Sequence, residues 1–185
     1  MGTWEQLEKR VGKLTPLLVG FLLIYTFARS VVAGTGKVYW YDELLTQLVT
    51  SQGSVGRIMA ALRGPLDGQP PVFYLIEHLA SRLIANQDIA LRLPSAFGVV
   101  CTMLCVFVFL YRQSGRVVAL LSTVFLLMTA LFKLYAAEAR PYSLVVACIA
   151  FAAVCYMRAP SPKWVLLLAV SLALAQSMQD RKSVV

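Results

Sequence analysis

Two adjacent carboxylates, Asp42 and Glu43, are unusual in an otherwise apolar chain. They lie in the stretch GKVYWYDELLTQLVTSQG, between an aromatic triplet and a half-apolar segment. A carboxylate in such a place can take a proton from a hydroxyl group and so act as a general base. A solvated pair with a structural role just outside a membrane is the alternative, and the motif alone leaves it open.

Glu138 and Arg140 form a second polar group, in the short connection AAEARP between two apolar runs. Charged residues so close to a membrane are costly and are by default functional candidates. Asp67 and Gln69 form a third group in the stretch DGQPP. If the apolar runs deliver these groups to one membrane boundary, they could surround a charged lipid headgroup.

Arg92 precedes an apolar run and has two interpretations. A guanidinium fork suits phosphate oxygens, but an arginine at a helix end can also simply reach toward the interface. His78 is the single histidine of the chain, and packing explains it better than catalysis.

We predict no cofactor from these candidate residues. The four cysteines lie inside apolar runs and lack the paired spacing of a zinc site. A metal-independent reaction is therefore favoured, although the acidic residues could still hold a divalent cation.

The elements that position these groups belong to a membrane protein. The chain is 59% hydrophobic, its mean hydropathy is +0.72, and long apolar runs recur along it. Its formal charge of +8 comes from basic residues that mostly flank those runs. Such residues are orientation signals, so we predict no nucleic-acid partner.

Five runs are candidates for spanning helices, which need about 20 mainly apolar residues. They are Leu14 to Gly34, Leu93 to Tyr111, Val117 to Ala137, Pro141 to Met157 and the marginal Trp164 to Met178. The run Pro70 to Ala85 contains Glu77, His78 and Arg82 and is too short to span, so it is predicted to lie along the surface. With a helix over Asp42 to Val49, the sequence predicts an all-α polytopic membrane bundle with two juxtamembrane helices.

Basic residues orient this bundle, because short cytoplasmic loops collect Lys and Arg. If Pro70 to Ala85 does not span, all the basic loops fall on the cytoplasmic side: Lys9, Arg10 and Lys13; Arg112 and Arg116; Arg158 and Lys163. The first extracytoplasmic loop is then residues 35–92, and Ala136 to Pro141 also lies outside.

A resemblance to a known family rests on four motifs that occur in a fixed order. They are YWYDELLT, DGQPPVFYLIEHLASRLI, ALRLPSAFG and LYAAEARPYSL. Together they resemble the N-terminal part of the lipid-linked-sugar glycosyltransferases of the GT-C fold. The similarity is greatest to the protein O-mannosyltransferase and aminoarabinose-transferase superfamily. It implies that residues 1–185 form a single transmembrane module of a longer transferase, so this chain alone should be inactive.

The resemblance also implies roles. A hexosyl- or pentosyltransferase would move a sugar from a polyprenyl-phosphate donor to an acceptor at the outward face, most simply of a bacterial inner membrane. Asp42 corresponds to the catalytic carboxylate, and Glu138 and Arg92 to an acidic residue and an arginine of the family. Gln69 departs from the family, which often has His or Lys there, so phosphate binding would fall to Arg92 and Arg140.

A non-enzymatic membrane scaffold, or a transporter fragment with a polar pathway, is the alternative function. Its charges would line that pathway instead of a catalytic site.

The topology can be tested by labelling single cysteines in a cysteine-free background of intact cells. Cysteines at Ser54 and Gly68 should react with an impermeant reagent from outside, and cysteines at Ser114 and Ser161 only from inside. Labelling of position 114 from outside would instead make Pro70 to Ala85 a spanning segment.

Overall fold

The computed structural model describes residues 3–63 and 70–179, with the backbone alone for residues 3–10. Every regular element in these ranges is a helix, and none is a strand, which confirms the predicted all-α membrane bundle. The helices are α1 (Thr3–Thr35), α2 (Tyr41–Thr50), α3 (Val55–Arg63), α4 (Pro71–Leu83), α5 (Gln87–Ser114), α6 (Arg116–Met128), α7 (Ala130–Ala136), α8 (Tyr142–Tyr156) and α9 (Pro162–Met178).

The five predicted spans all fall on helices, but the helices differ in length. Within the described ranges, Val11–Thr35 of α1 and all of α5 are long and apolar enough to cross a membrane. The pair α6 and α7 makes a third candidate if the two helices count as one bent span. Helices α8 and α9 are apolar but have only 15 and 17 residues.

A bend of 71° separates α6 from α7, where the sequence indicated one unbroken run. Thr129 stands at the break with an extended backbone, and its hydroxyl donates to the carbonyl oxygen of Leu126 at 2.8 Å. Such a bond competes with the helical hydrogen-bond pattern. Apolar composition alone does not reveal this kind of interruption.

The first loop contains three helices, one more than predicted. Helix α4 agrees with the predicted surface helix, and α2 with the predicted helix after Asp42. Helix α3 is the addition, and it packs Ile58 against Val49, Phe73 and Tyr74 in a buried cluster that also includes Met178 of α9. This cluster fixes the three juxtamembrane helices over one end of the bundle. Asp67 and Gln69 lie outside the described residues.

Helix α5 is the centre of the bundle and packs against α1, α4, α6 and α8. It approaches α8 closely at Gly98, where an added Cβ atom would lie 2.8 Å from the Ser143 carbonyl carbon. A small residue is needed where two membrane helices come this near.

Gly98→Ala should therefore destabilise the bundle by about 1–3 kcal/mol, because the α8 backbone cannot move aside as a flexible side chain would. Gly20→Ala is the matched control, since a Cβ there meets nothing within 4 Å and alanine favours the helix. Thermal unfolding in detergent measures both variants. Equal midpoints would contradict the close packing of α5 on α8.

Candidate active site

Arg92 and Glu43 form an ion pair that is almost completely removed from solvent. A guanidinium nitrogen of Arg92 lies 3.4 Å from a carboxylate oxygen of Glu43, and the side chains are 2% and 1% exposed. The guanidinium also donates to the carbonyl oxygens of Gly34 and, at 2.9 Å, of Lys37. Its carbon lies 4.5 Å from the centre of the Tyr39 ring. The start of α5 is thus tied to the end of α1 and to the linker before α2.

Glu43 is held by backbone groups as well. One of its oxygens accepts the N–H of Trp40, the N-cap residue of α2, at 3.1 Å, as the glutamate of a capping box does. The other accepts the N–H of Ala139 at 2.8 Å. Both oxygens are therefore engaged by protein groups, and Glu43 joins α2 to α5 and to the connection between α7 and α8.

Asp42 faces the other way, because neighbouring residues of an α-helix differ by about 100° in direction. Its side chain is 57% exposed, and one carboxylate oxygen lies 3.5 Å from a guanidinium nitrogen of Arg140. The Arg140 side chain is only 7% exposed. Asp42 is thus the accessible carboxylate of the two, and it stands beside a mostly buried cation.

The connection between α7 and α8 is fixed so that Arg140 reaches Asp42. The buried hydroxyl of Ser95 on α5 donates to the carbonyl oxygen of Arg140 at 3.0 Å, next to the bond between Ala139 and Glu43. Two backbone groups of this connection are therefore anchored. The Arg140 guanidinium also lies 5.8 Å from the centre of the Tyr142 ring.

Lys37 is a site residue that the sequence analysis did not single out. Its Nζ lies 3.3 Å from a Glu138 oxygen, and the two side chains are 22% and 16% exposed. The same ammonium group is 5.5 Å from the centre of the Trp40 ring. The available signal was a lone lysine two positions before the aromatic triplet, on the face otherwise expected to carry few basic residues.

Tyr39 differs from its two aromatic neighbours. Trp40 and Tyr41 are 63% and 75% exposed, as expected of an interfacial aromatic belt. The Tyr39 hydroxyl instead donates to Asp88 at 2.5 Å. Burial, together with the bond to Asp88, raises the pKa of the Tyr39 phenol. Tyr39 therefore stays a hydrogen-bond donor at neutral pH and cannot serve as a base.

Five predicted site residues meet in this region through three ion pairs: Asp42 with Arg140, Glu43 with Arg92, and Glu138 with Lys37. Their roles in catalysis and binding stay predictions, as do those of Asp67 and Gln69. His78 lies elsewhere, with its Nδ1 2.8 Å from the carbonyl oxygen of Thr50. Across residues 3–63 and 70–179, no three His, Cys, Asp or Glu side chains are grouped closely enough to hold a metal ion.

Two cavities open beside α8. One of about 420 Å³ adjoins the site, because Pro141 and Tyr142, which follow Arg140, line it together with Tyr135 and Ile149. The other, of about 440 Å³, is almost wholly apolar and lies among α4, α5, α8 and α9.

The comparison with protein families gives a match. The model of the family described as dolichyl-phosphate-mannose-protein mannosyltransferase matches residues 68–182, well over half of the 185 residues. The matched part contains Arg92, Glu138 and Arg140, whereas Asp42 and Glu43 precede it. Searches of curated proteins and of solved structures give no match.

The geometry predicts that Asp42 and Glu43 differ in their contribution to stability. Glu43→Gln leaves the buried Arg92 without its counter-charge and should cost about 3–5 kcal/mol. Asp42→Asn changes a pair whose carboxylate is 57% exposed and therefore hydrated, so it should cost clearly less than Glu43→Gln. Thermal unfolding in detergent compares them, and equal losses would contradict the assignment of Glu43 as the buried anchor.

Proposed function

The chain belongs to the dolichyl-phosphate-mannose-protein mannosyltransferase family, a family of GT-C-type membrane glycosyltransferases, and from this premise we propose its reaction. It transfers a sugar from a polyprenyl-phosphate donor to an acceptor hydroxyl group. We infer that residues 1–185 supply the catalytic carboxylate and part of the donor site of a longer transferase.

The observation that carries this proposal is the exposed Asp42 carboxylate beside Arg140. Sugar transfer needs a base that takes the proton of the acceptor hydroxyl as its oxygen bonds to the anomeric carbon. The bond between that carbon and the phosphate oxygen breaks, and the electron pair leaves with the phosphate. A nearby cation stabilises the charge on the departing phosphate. Asp42 is the proposed base, and Arg140 the proposed cation.

Arg140 suits the phosphate contact better than Arg92 does. The Arg92 guanidinium is already bound to Glu43 and to the carbonyl oxygens of Gly34 and Lys37. Releasing it would strip a buried carboxylate of its counter-charge. Arg140 instead pairs with the half-exposed Asp42, which water can solvate if the arginine turns toward a phosphate.

The other predicted contacts fit around this centre. Glu138 and Lys37 form a partly exposed pair within the same group of charges, so either could contact the sugar or its phosphate. Asp67 and Gln69 remain proposed substrate contacts on the strength of the family resemblance alone. Glu43, buried and fully bonded, would contribute to catalysis by holding α2 and so placing Asp42.

The lipid part of the donor needs an apolar path that begins near Arg140. The cavity lined by Pro141, Tyr142 and Val145 adjoins that arginine and has a mainly apolar wall. Isoprene units that enter it would be removed from water, which is favourable in proportion to the apolar area buried. We propose this cavity for the lipid end nearest the phosphate.

The distribution of basic residues supports an outward-facing site. The flanking lysines and arginines favour a cytoplasmic side opposite the connection that carries Arg140. A bacterial inner membrane, with the site at its outer face, is the location proposed here.

Asp42→Asn in the full-length protein should reduce sugar transfer by about 10²- to 10⁴-fold, because the amide keeps the shape of the side chain and loses the base. Transfer of radiolabelled sugar from a polyprenyl-phosphate donor measures the effect. Binding of that donor and the unfolding midpoint should stay close to wild type, which separates lost chemistry from lost structure. A transfer rate near wild type would show that Asp42 is not the base.

A further inference from the structure

Glu77 on α4 is a carboxyl group that none of the assigned roles explains. Its side chain is 0% exposed, and among the described residues neither of its oxygens has a hydrogen-bond partner. Ser81, one turn further along α4, has a hydroxyl oxygen that is likewise buried without a partner in the described part of the chain. Unpartnered buried polar groups are rare in proteins, because each costs the full loss of its hydration.

Within residues 3–63 and 70–179, the helices packed around α4 offer Glu77 no cation. Glu43 on α2 is the neighbouring charged group whose field acts on it, and that charge is also negative. On α5, Arg92 is bound to Glu43, and Asp88 is bound to Tyr39.

The remaining charged groups are directed elsewhere. Arg57 and Arg63 on α3 are exposed, and the end of α9 that meets α4 is the uncharged Met178. On α4 itself, His78 and Arg82 are bound to the carbonyl oxygens of Thr50 and Gly53.

We propose that Glu77 is a positioning residue, whose carboxyl group is folded into the protein as the neutral acid so that Glu43 alone carries the negative charge facing Arg92. The neutral acid lets α4 pack on α2 and α5, and this packing holds Glu43 where it places Asp42 beside Arg140. Ionisation would bring a second carboxylate to the same buried region. The single guanidinium of Arg92 could not neutralise both.

The physical basis is the cost of an ion in an apolar environment. An unpaired carboxylate there is so unfavourable that the group binds a proton instead. Burial, and secondarily the charge of Glu43, raise the pKa of Glu77 well above its usual range. Glu77 lies on the surface helix rather than in a spanning segment, so protons from water can reach it whenever α4 loosens.

The direction of the pH effect follows from proton linkage. Above the ordinary glutamate pKa of about 4.3, the unfolded chain releases this proton while the folded chain keeps it. The folded state then holds more protons, so stability is complete below that pH and falls as the pH rises toward the folded-state pKa. One extra proton corresponds to as much as about a tenfold change per pH unit in the ratio of folded to unfolded protein.

Unfolding midpoints of the full-length protein between pH 5 and pH 9 test this proposal. Glu77→Gln has nearly the same shape as the neutral acid and no titratable proton, so its midpoint should already lie above that of wild type at pH 6 and should fall less as the pH rises. Glu77→Asp is the matched control, since it keeps a titratable carboxyl group and should keep the pH-dependent fall. Parallel curves for wild type and Glu77→Gln, or a large loss in Glu77→Gln already at pH 6, would overturn the proposal.

Sugar transfer gives a second measurement, which rests on the proposed function. The ratio of the rate at pH 9 to the rate at pH 7 should be at least about threefold larger for Glu77→Gln than for wild type. Equal fractions would overturn the positioning role. If no variant transferred sugar at any pH, the proposed function would fail, and the unfolding midpoints alone would still decide the role of Glu77.

Discussion

The buried pair of Glu43 and Arg92 is the interaction on which the region depends. Removing two ions from water costs several kcal/mol each, and their attraction repays this only when the remaining hydrogen-bonding positions are also filled. Here the backbone N–H groups of Trp40 and Ala139 and the carbonyl oxygens of Gly34 and Lys37 fill most of them, and the Arg92 Nε is left without a partner among the described residues. With Glu43 and Arg92 themselves, these groups come from four separate segments of the chain. The pair is therefore complete only when the end of α1, the start of α2, the start of α5 and the connection before α8 are all in place.

This requirement explains why two adjacent carboxylates have such different surroundings. Glu43 is the third residue of α2 and can reach back to the N–H of Trp40, which turns its side chain toward the bundle. Asp42, one position earlier, is thereby directed outward to Arg140. One carboxylate secures the helix, and the other is presented at the boundary. Exchange of their roles would require α2 to rotate by about 100° and would break the bonds of Glu43 to Arg92 and to the N–H of Ala139.

Much of this arrangement could be predicted from the sequence, because apolar runs and helical periodicity determine where helices form. Because the predicted helices end at one membrane boundary, the sequence also predicts that Asp42, Glu138 and Arg140 lie near one another. The bend at Thr129, the pairing of Lys37 and the burial of Glu77 could not be predicted in this way. Each depends on contacts between distant segments: Glu77 falls on an amphipathic surface helix by its periodicity and is buried only because α2, α3 and α5 pack around α4. Asp67 and Gln69, in the breaker-rich link, have no comparable pattern.

For the proposed sugar transfer, the cost of separating each of the three ion pairs determines where a donor phosphate binds. Among the described residues, the three pairs balance three carboxylates with three cations, so a phosphate that binds there would draw a cation from one of them. Drawing Arg92 away would leave the fully buried Glu43 carboxylate without its counter-charge, which is the costliest choice. Glu138 and Lys37 are both partly buried, so opening that pair would cost an intermediate amount. Asp42 is already half exposed, and water can replace its partner at small cost. The pair that opens most easily is therefore the one that frees Arg140 for the phosphate and leaves Asp42 unpaired beside the acceptor.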